Sequence, residues 1–430
     1  MVFQQSNSMD EMITAMQTGR MTRRSFLERA TALGLSSSAA AAFLAACGGS
    51  TSGSNGPVTL TLWDYFNPAG SGYLGLISGY TKANPSVKIQ RTTIPFADLK
   101  QKLIQGAASG QLPDIAVIDN PDHTAFADLG VLTDLTTQIS TWGQTSQYFP
   151  GPLKSTVWKG KNYGLPNNSN CLALYYNKDM FSKAGLTPPT TLDELHTTAQ
   201  KLTKPGVYGL SMSLVKSEEG TFQFLPFLWS AGADLNTIDS PAAVGALQYL
   251  VDFVKQGLLS HEALNWTQQD AITQFIAQKA AMCINGPWNV PATKQGAQFK
   301  WGVVSLPKGA QSASILGGEN WAISKTSRHV KEAWDFLKWT QQPTQLRSYI
   351  VTDNRLPSTK TLAQDAAFQK DQYLSVFVNS LEVARPRAYG PKYPQVSNAV
   401  QQAFQSAISG QMSASAALSQ AAQTIKPLLG

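Results

Sequence analysis

The chain is short of charge, histidine and cysteine, and each shortage removes a class of function. Only 14% of its 430 residues are Asp, Glu, Lys or Arg, against the ~25% usual for globular chains. The 34 basic residues exceed the 27 acidic ones, a net charge of +7, yet they never gather into a Lys/Arg-rich patch with interleaved aromatics. Nucleic-acid binding therefore has no electrostatic footprint. His123, His196, His261 and His329 stand far apart without ligand-like spacing, so a zinc site or a histidine-based triad has no anchor. GxSxG, HExxH, P-loop and strand-linked GxGxxG patterns are all missing. Asp119-Asn120-Pro121-Asp122 lacks the glycine and distal glutamate of a calcium loop. Neither a metal nor a cofactor is expected. Two carboxylates at a set separation can come from any part of a chain, so a secreted glycoside hydrolase stays open as the alternative.

Long apolar runs are also missing. The nearest approach is residues 21–47, MTRRSFLERATALGLSSSAAAAFLAAC, whose apolar part is too short and too rich in serine to span a bilayer. A positive start, a short apolar stretch and small residues before a cleavage point make an export signal of residues 1–46. Arg23-Arg24-Ser25-Phe26-Leu27 resembles a twin-arginine signal, although Glu28 stands where that pattern often has Lys; the general secretory route stays open. Leu44-Ala45-Ala46-Cys47 resembles a bacterial lipobox, which implies lipidation of Cys47. The Gly/Ser-rich residues 47–57 then form a flexible tether. Of the three cysteines, Cys171 and Cys283 remain. Each lies in an apolar strand-like run and reads as a buried thiol, with a disulfide between them open in an oxidising compartment.

What the chain does have is alternation of strand and helix. Residues 58–65 (VTLTLWDY) and 87–93 read as strands, 74–84 and 96–110 as helices, and 115–118 as a strand buried on both faces. Such alternation implies an α/β fold with a largely parallel sheet. Thr191-x-x-Glu194, Ser240-Pro241, Thr267 with Asp270, and Ser327 mark later helix starts, and residues 395–427 read as wholly helical. Aromatics stand beside polar residues at strand ends: Trp63-Asp64-Tyr65, Tyr175-Tyr176, Trp229, Gly286-Pro287-Trp288, Glu319-Asn320-Trp321 and Tyr389 to Tyr393. Aromatic rings suit the C–H faces of a sugar, while carboxylates, amides and arginines suit its hydroxyl rim.

These segments resemble, in order, the bacterial extracellular solute-binding proteins of carbohydrate ABC importers, of the maltodextrin-binding type. Leu112-Pro113-Asp114-Ile115 with residues 125–135 (AFADLGVLTDL) is similar to the family's PDI segment. Tyr163-Gly164-Leu165-Pro166 and Leu174-Tyr175-Tyr176-Asn177-Lys178-Asp179-Met180-Phe181 resemble its YG.P and LYYNKDLF stretches. Residues 281–288 (AMCINGPW) resemble its AM..NGPW segment, and Gly317-Gly318-Glu319-Asn320-Trp321-Ala322-Ile323 its GG...AI strand.

The resemblance implies an α/β, two-lobed periplasmic-binding-protein-like clamp with three interlobe crossings. By position, lobe 1 would hold 58–171 and 300–350, and lobe 2 would hold 174–298 and 354–430. Crossings would fall near 170–175, 289–300 and 351–357. Ligand contacts carry over as Trp63, Asp64, Asp119 and Trp288; Trp229, Glu319 and Asn320 follow by analogous position. Arg385 and Tyr393 rest on chemistry and rough position. Adjacent tyrosines also occur in iron binders of this fold, but strand alternation sends Tyr175 and Tyr176 to opposite faces. The expectation is a monomeric, non-enzymatic receptor, lipid-anchored at the outer face of the cell membrane. It would pass a mono- to oligosaccharide to an ABC permease. An exported scaffold without a small ligand is the other class the sequence leaves open.

Overall fold

The computed structural model describes residues 57–429. The expected export signal, Cys47 and the tether up to Gly56 lie outside the described residues. The strands are β1 (Val58–Asp64), β2 (Val87–Thr93), β3 (Ile115–Asp119), β4 (Val157–Trp158), β5 (Lys161–Asn162), β6 (Gly164–Pro166), β7 (Ala173–Asn177), β8 (Tyr208–Ser211), β9 (Ala280–Asn285), β10 (Trp301–Val304), β11 (Ser314–Leu316), β12 (Glu319–Ile323) and β13 (Ala384–Pro386).

Two sheets divide most of them. The first has the order β2-β1-β3-β12-β6 and the second β10-β7-β9-β8. In the first, β1 runs parallel to β2 and β3, the handiwork of the strand–helix alternation at the start of the chain, and β12 returns antiparallel to β3. Along β1, Leu60, Leu62 and Asp64 are buried on one face while Thr61 and Trp63 stand half-buried on the other. The helix Phe96–Ser109 covers that second face with Leu99, Leu103 and Ile104, and stops where Gly110 turns left-handed at φ 70°. In the second sheet every residue of β9 is buried, because helices cover both its faces. One of those helices, Glu218–Ser230, is buried along its whole length from Gly220.

Tyr175 and Tyr176 do part to opposite faces: Tyr175 is fully buried with its hydroxyl donating to the Gly286 carbonyl at 2.7 Å, and Tyr176 packs on Phe181. Cys171 and Cys283 are buried free thiols; burial pushes the Cys283 thiol up to about 12. Among the described residues no helix is long and apolar enough to cross a membrane.

The structure differs from the sequence expectation in three places, two of them at the lobe boundaries. Strand β10 lies in the second sheet, antiparallel to β7, instead of with residues 58–171. Its Trp301 is held there by stacking on Tyr175 at 5.7 Å and on Tyr373 at 3.9 Å, a partnership with no local sequence signature. The second crossing therefore follows Val304 instead of falling in 289–300. Residues 356–359 stay with the first crossing, since Leu356 pairs with Ser169 and Thr359 with Tyr148. Finally, the C-terminal stretch is two helices, Tyr393–Ile408 and Ala414–Leu429, broken at the left-handed Gly410 (φ 80°). The helix ahead of Gly410 packs against both Glu218–Ser230 and the first-lobe helix Asn120–Asp128, so the two lobes touch across their cleft.

Candidate functional site

The cleft floor is built where β3 ends and β12 begins. Their antiparallel register sets Asp119 directly opposite Glu319. Just before Glu319, Gly317 and Gly318 lie against the first crossing, and only glycine fits there. A Cβ on Gly317 would meet the Asn170 side-chain oxygen at 2.1 Å. One on Gly318, whose φ is +127°, would meet the Asn168 carbonyl at 2.3 Å. This closeness lets Gly317 and Asn170 exchange backbone hydrogen bonds of 2.9 and 3.1 Å, and lets the Asn167 N–H donate to the Glu319 carbonyl at 2.7 Å. Three consecutive polar residues, 167–169, are thereby buried, with Asn170 half-buried beside them.

Their backbones are satisfied, but several side-chain atoms on this floor are not. Asn167 Nδ2, Asn168 Oδ1, Asn170 Oδ1, Glu319 Oε2, Arg355 Nε and Arg387 Nε are buried without a hydrogen-bond partner among the described residues. The Tyr65 hydroxyl donates to Glu319 Oε1 at 2.9 Å, and Arg355 lies 3.6 Å from Glu319 Oε2 while resting on the Phe66 ring. Burial, then the charges of Glu319 and Asp119, hold the Tyr65 hydroxyl well above its ordinary range. A buried polar atom left unpaired costs about 1–3 kcal/mol, so a cluster of them marks a place shaped for something polar.

The other wall belongs to the second lobe and centres on Arg387. Its guanidinium donates to Glu218 Oε1 at 2.5 Å, to both Asp119 oxygens at 3.3 Å and to Asn120 Oδ1 at 3.2 Å. It lies over the Phe222 ring at 4.7 Å, and Trp288 sits 6.4 Å beyond Phe222, folded back over Gly286. Glu218 also accepts from the Tyr393 hydroxyl at 2.6 Å and from Ser397. Beside Asp119 and Glu218 a cavity of about 260 Å³ opens between Phe96, Lys100 and Phe126 of the first lobe and Lys216, Asn398 and Gln401 of the second. Lys100 pairs there with Asp122 at 2.8 Å.

Of the residues expected from sequence, the structure brings Asp119, Glu319, Trp288 and Tyr393 to the cleft. The rest sit elsewhere. Asp64 is fully buried and clamped by Arg91 through two bonds of 2.7 Å; it holds β1 to β2, and breaking such a pair costs roughly 3–5 kcal/mol. Trp63 lies on the helix-covered face beneath Lys102. Trp229 is fully buried, bonding Asp234 and Tyr389. Arg385 lies over Trp229 and pairs with Asp234 outside the cleft. Asn320 points away from Glu319, as strand alternation requires, and bonds Ser155 at 2.9 Å. The sequence singled out Tyr65 only as a neighbour of Trp63 and Asp64, and residues 167–170, Glu218, Arg355 and Arg387 not at all. Arg387 lies two residues beyond the expected Arg385, and it is Arg387 that reaches Asp119 and Glu218 while Arg385 pairs with Asp234.

Comparison with known proteins bears on the fold as a whole. The model of one family, bacterial extracellular solute-binding proteins, matches residues 75–375. The galactooligosaccharide-binding protein of Bacillus subtilis is 24% identical over 89% of this chain and 93% of its own length. The maltodextrin-binding protein of the same organism is 25% identical over 77% of this chain and 81% of its own. Among solved structures, an ABC transporter solute-binding protein of Thermotoga lettingae, bound with α-D-tagatose, superimposes with a TM-score of 0.81 at 27% identity, covering 87% of this chain and all (100%) of that one. The GacH receptor of Streptomyces glaucescens, solved unliganded and with acarbose, gives 0.79 at 26% identity, covering 86% and 98%.

One guanidinium between two carboxylates cannot neutralise both, and Asp119 shows the consequence. Burial raises it most, Arg387 pulls it down, and Asp122, Glu218 and Glu319 push it up again, leaving it at about 7 against an ordinary 3.8. The folded protein thus holds this proton more tightly than the unfolded chain. The stability contributed is complete below about pH 4 and lost as pH rises through about 7. Melts of wild type and Asp119→Asn, run at constant ionic strength from about pH 4 to pH 8, should show the wild type losing ground to the variant as pH rises. A melting difference independent of pH would contradict this.

Proposed function

The chain belongs to the bacterial extracellular solute-binding proteins, and from that premise we propose that it captures a sugar or oligosaccharide between its lobes and delivers it to an ABC permease. The observation that carries the reading is the polar floor. Amide, carboxylate and guanidinium atoms are buried without partners beside the rings of Tyr65, Phe222 and Trp288. Sugar hydroxyls both donate and accept, and a pyranose face offers C–H groups to a ring. Only a ligand held between the lobes touches Glu319 and Asn168 on one side and Trp288 and Arg387 on the other, so binding favours the closed arrangement. The protein performs no covalent chemistry in this reading. It acts as a monomer outside the cytoplasm, anchored to the membrane through a lipid on Cys47.

A thermal-shift panel of about a hundred mono- to oligosaccharides tests the first claim. A sugar at 100 times its Kd stabilises the fold by about 2.7 kcal/mol. Trp288→Ala should weaken that sugar about tenfold to a hundredfold, the loss of roughly 1.5–3 kcal/mol of ring contact, and should leave the apo melt near that of wild type. A panel without a single shift, or a variant with a collapsed melt and unchanged affinity, would overturn it.

Labelled palmitate tests the anchor. Wild-type protein should incorporate the label in its bacterial host and partition into detergent, and Cys47→Ala should do neither. Label persisting in the variant defeats the lipoprotein reading.

A further inference from the structure

Trp288 is half-buried, and its indole lies against Gly286, two residues earlier. A Cβ on Gly286 would stand far inside van der Waals contact with Cε3, Cζ3 and Cη2 of that indole, all three in its six-membered ring. The backbone itself does not demand glycine: φ −103° and ψ 175° are extended, a conformation any residue adopts. What glycine supplies here is room for a close approach. The backbone cannot step aside either. The Gly286 N–H donates to Asn285 Oδ1 at 2.9 Å, and its carbonyl accepts from the Tyr175 hydroxyl at 2.7 Å. Asn285 Oδ1 accepts again from Asn289 Nδ2 at 2.8 Å, and Pro287 stiffens the step between glycine and tryptophan. Tyr175 and Asn285 are fully buried in the second sheet. A side chain at position 286 would therefore move the indole, since everything else around it is packed tight.

Phe222, buried in the helix Glu218–Ser230, meets the same indole at 6.4 Å with the two rings tilted by 52°. The ring is thus located by two fixed neighbours, a bare backbone and a buried phenyl. We propose that Gly286 is the positioning residue of the cleft's aromatic platform: by carrying no side chain it sets the depth and tilt of Trp288, and with them which sugar face the cleft accepts. The inference rests on the sugar-capture reading for what the ring does, and it assigns the ring's placement to a residue that touches no ligand. A ring already held in its binding pose loses little conformational freedom when a sugar arrives. A ring pushed off that seat has to be drawn back, or it leaves the C–H face of the sugar uncovered.

The seat is tested without sugar. In protein carrying 15N-labelled tryptophan, the indole N–H resonance that Trp288→Phe removes belongs to Trp288. Gly286→Ala should move that resonance; an unmoved one overturns the proposal whether or not a sugar is found.

The consequence for binding is tested by titrating the sugar that gives wild type its largest melting shift. Gly286→Ala should bind it about tenfold more weakly. Phenylalanine lacks the outer ring of the indole, so Gly286→Ala should cost nothing further in a Trp288→Phe background. A damaged backbone would not give that rescue. Wild-type affinity in Gly286→Ala, or the same loss in both backgrounds, overturns the proposal. Should Gly286→Ala alone fail to fold, the double variant should fold as Trp288→Phe does, and its failure to do so also overturns it. A sugar panel without a shift defeats the sugar reading instead, and the indole resonance then decides the seat.

Discussion

The cleft depends on how closely two backbones approach at Gly317 and Gly318. With any side chain there, the strand that enters β12 would stand off from residues 167–170, and their exchanged hydrogen bonds would be lost. That contact aligns Asp119 with Glu319 at the mouth of the first sheet, and it buries Asn167, Asn168 and Ser169 while leaving Asn170 half-buried. Everything on the floor follows from it: the Tyr65–Glu319 bond, the nearby Arg355 and the unpaired amides.

A protein that leaves polar atoms unpaired at its centre gives up stability for readiness. Each such atom costs about 1–3 kcal/mol, and the surroundings sustain it. On one side the buried aromatic cluster of Tyr73, Trp321, Tyr349 and Phe336 packs behind β12. On the other, the helix Glu218–Ser230 packs against the C-terminal helix Tyr393–Ile408 and the helix Pro241–Lys255. These cores fix the floor from behind, so the geometry at Glu319 and Arg387 is imposed by packing that takes no part in binding.

Much of this was legible in the sequence. β2 falls on the predicted residues, β1 and β3 within a residue of them, Thr267 and Asp270 do form a reciprocal cap, and Ser240 caps the helix Pro241–Lys255. These are local effects of alternation and capping, which a sequence displays directly. Ser327 was nearly right: its hydroxyl accepts from the His329 N–H, and the helix begins at Val330. The site was harder. Asp64 reads as a ligand contact until Arg91, 27 positions away, is seen to hold it. Glu218 and Arg387 stand 169 positions apart, and no local pattern pairs them. β10 falls by position in lobe 1, and only its pairing with β7 and the stacking of Tyr373 on Trp301 move it to the second sheet. Residue chemistry is visible in a sequence, but which partner neutralises it is a property of the fold.

The central claim is that a sugar is held by both lobes at this floor. Hydrogen–deuterium exchange, with and without the sugar that most raises the melting temperature, tests it most directly. The account predicts new protection at residues 167–170 and 317–320 of the floor together with 286–290 and 384–389 of the second lobe, all saturating at the same concentration. Protection confined to one lobe, or appearing only on the outer helices, would contradict it.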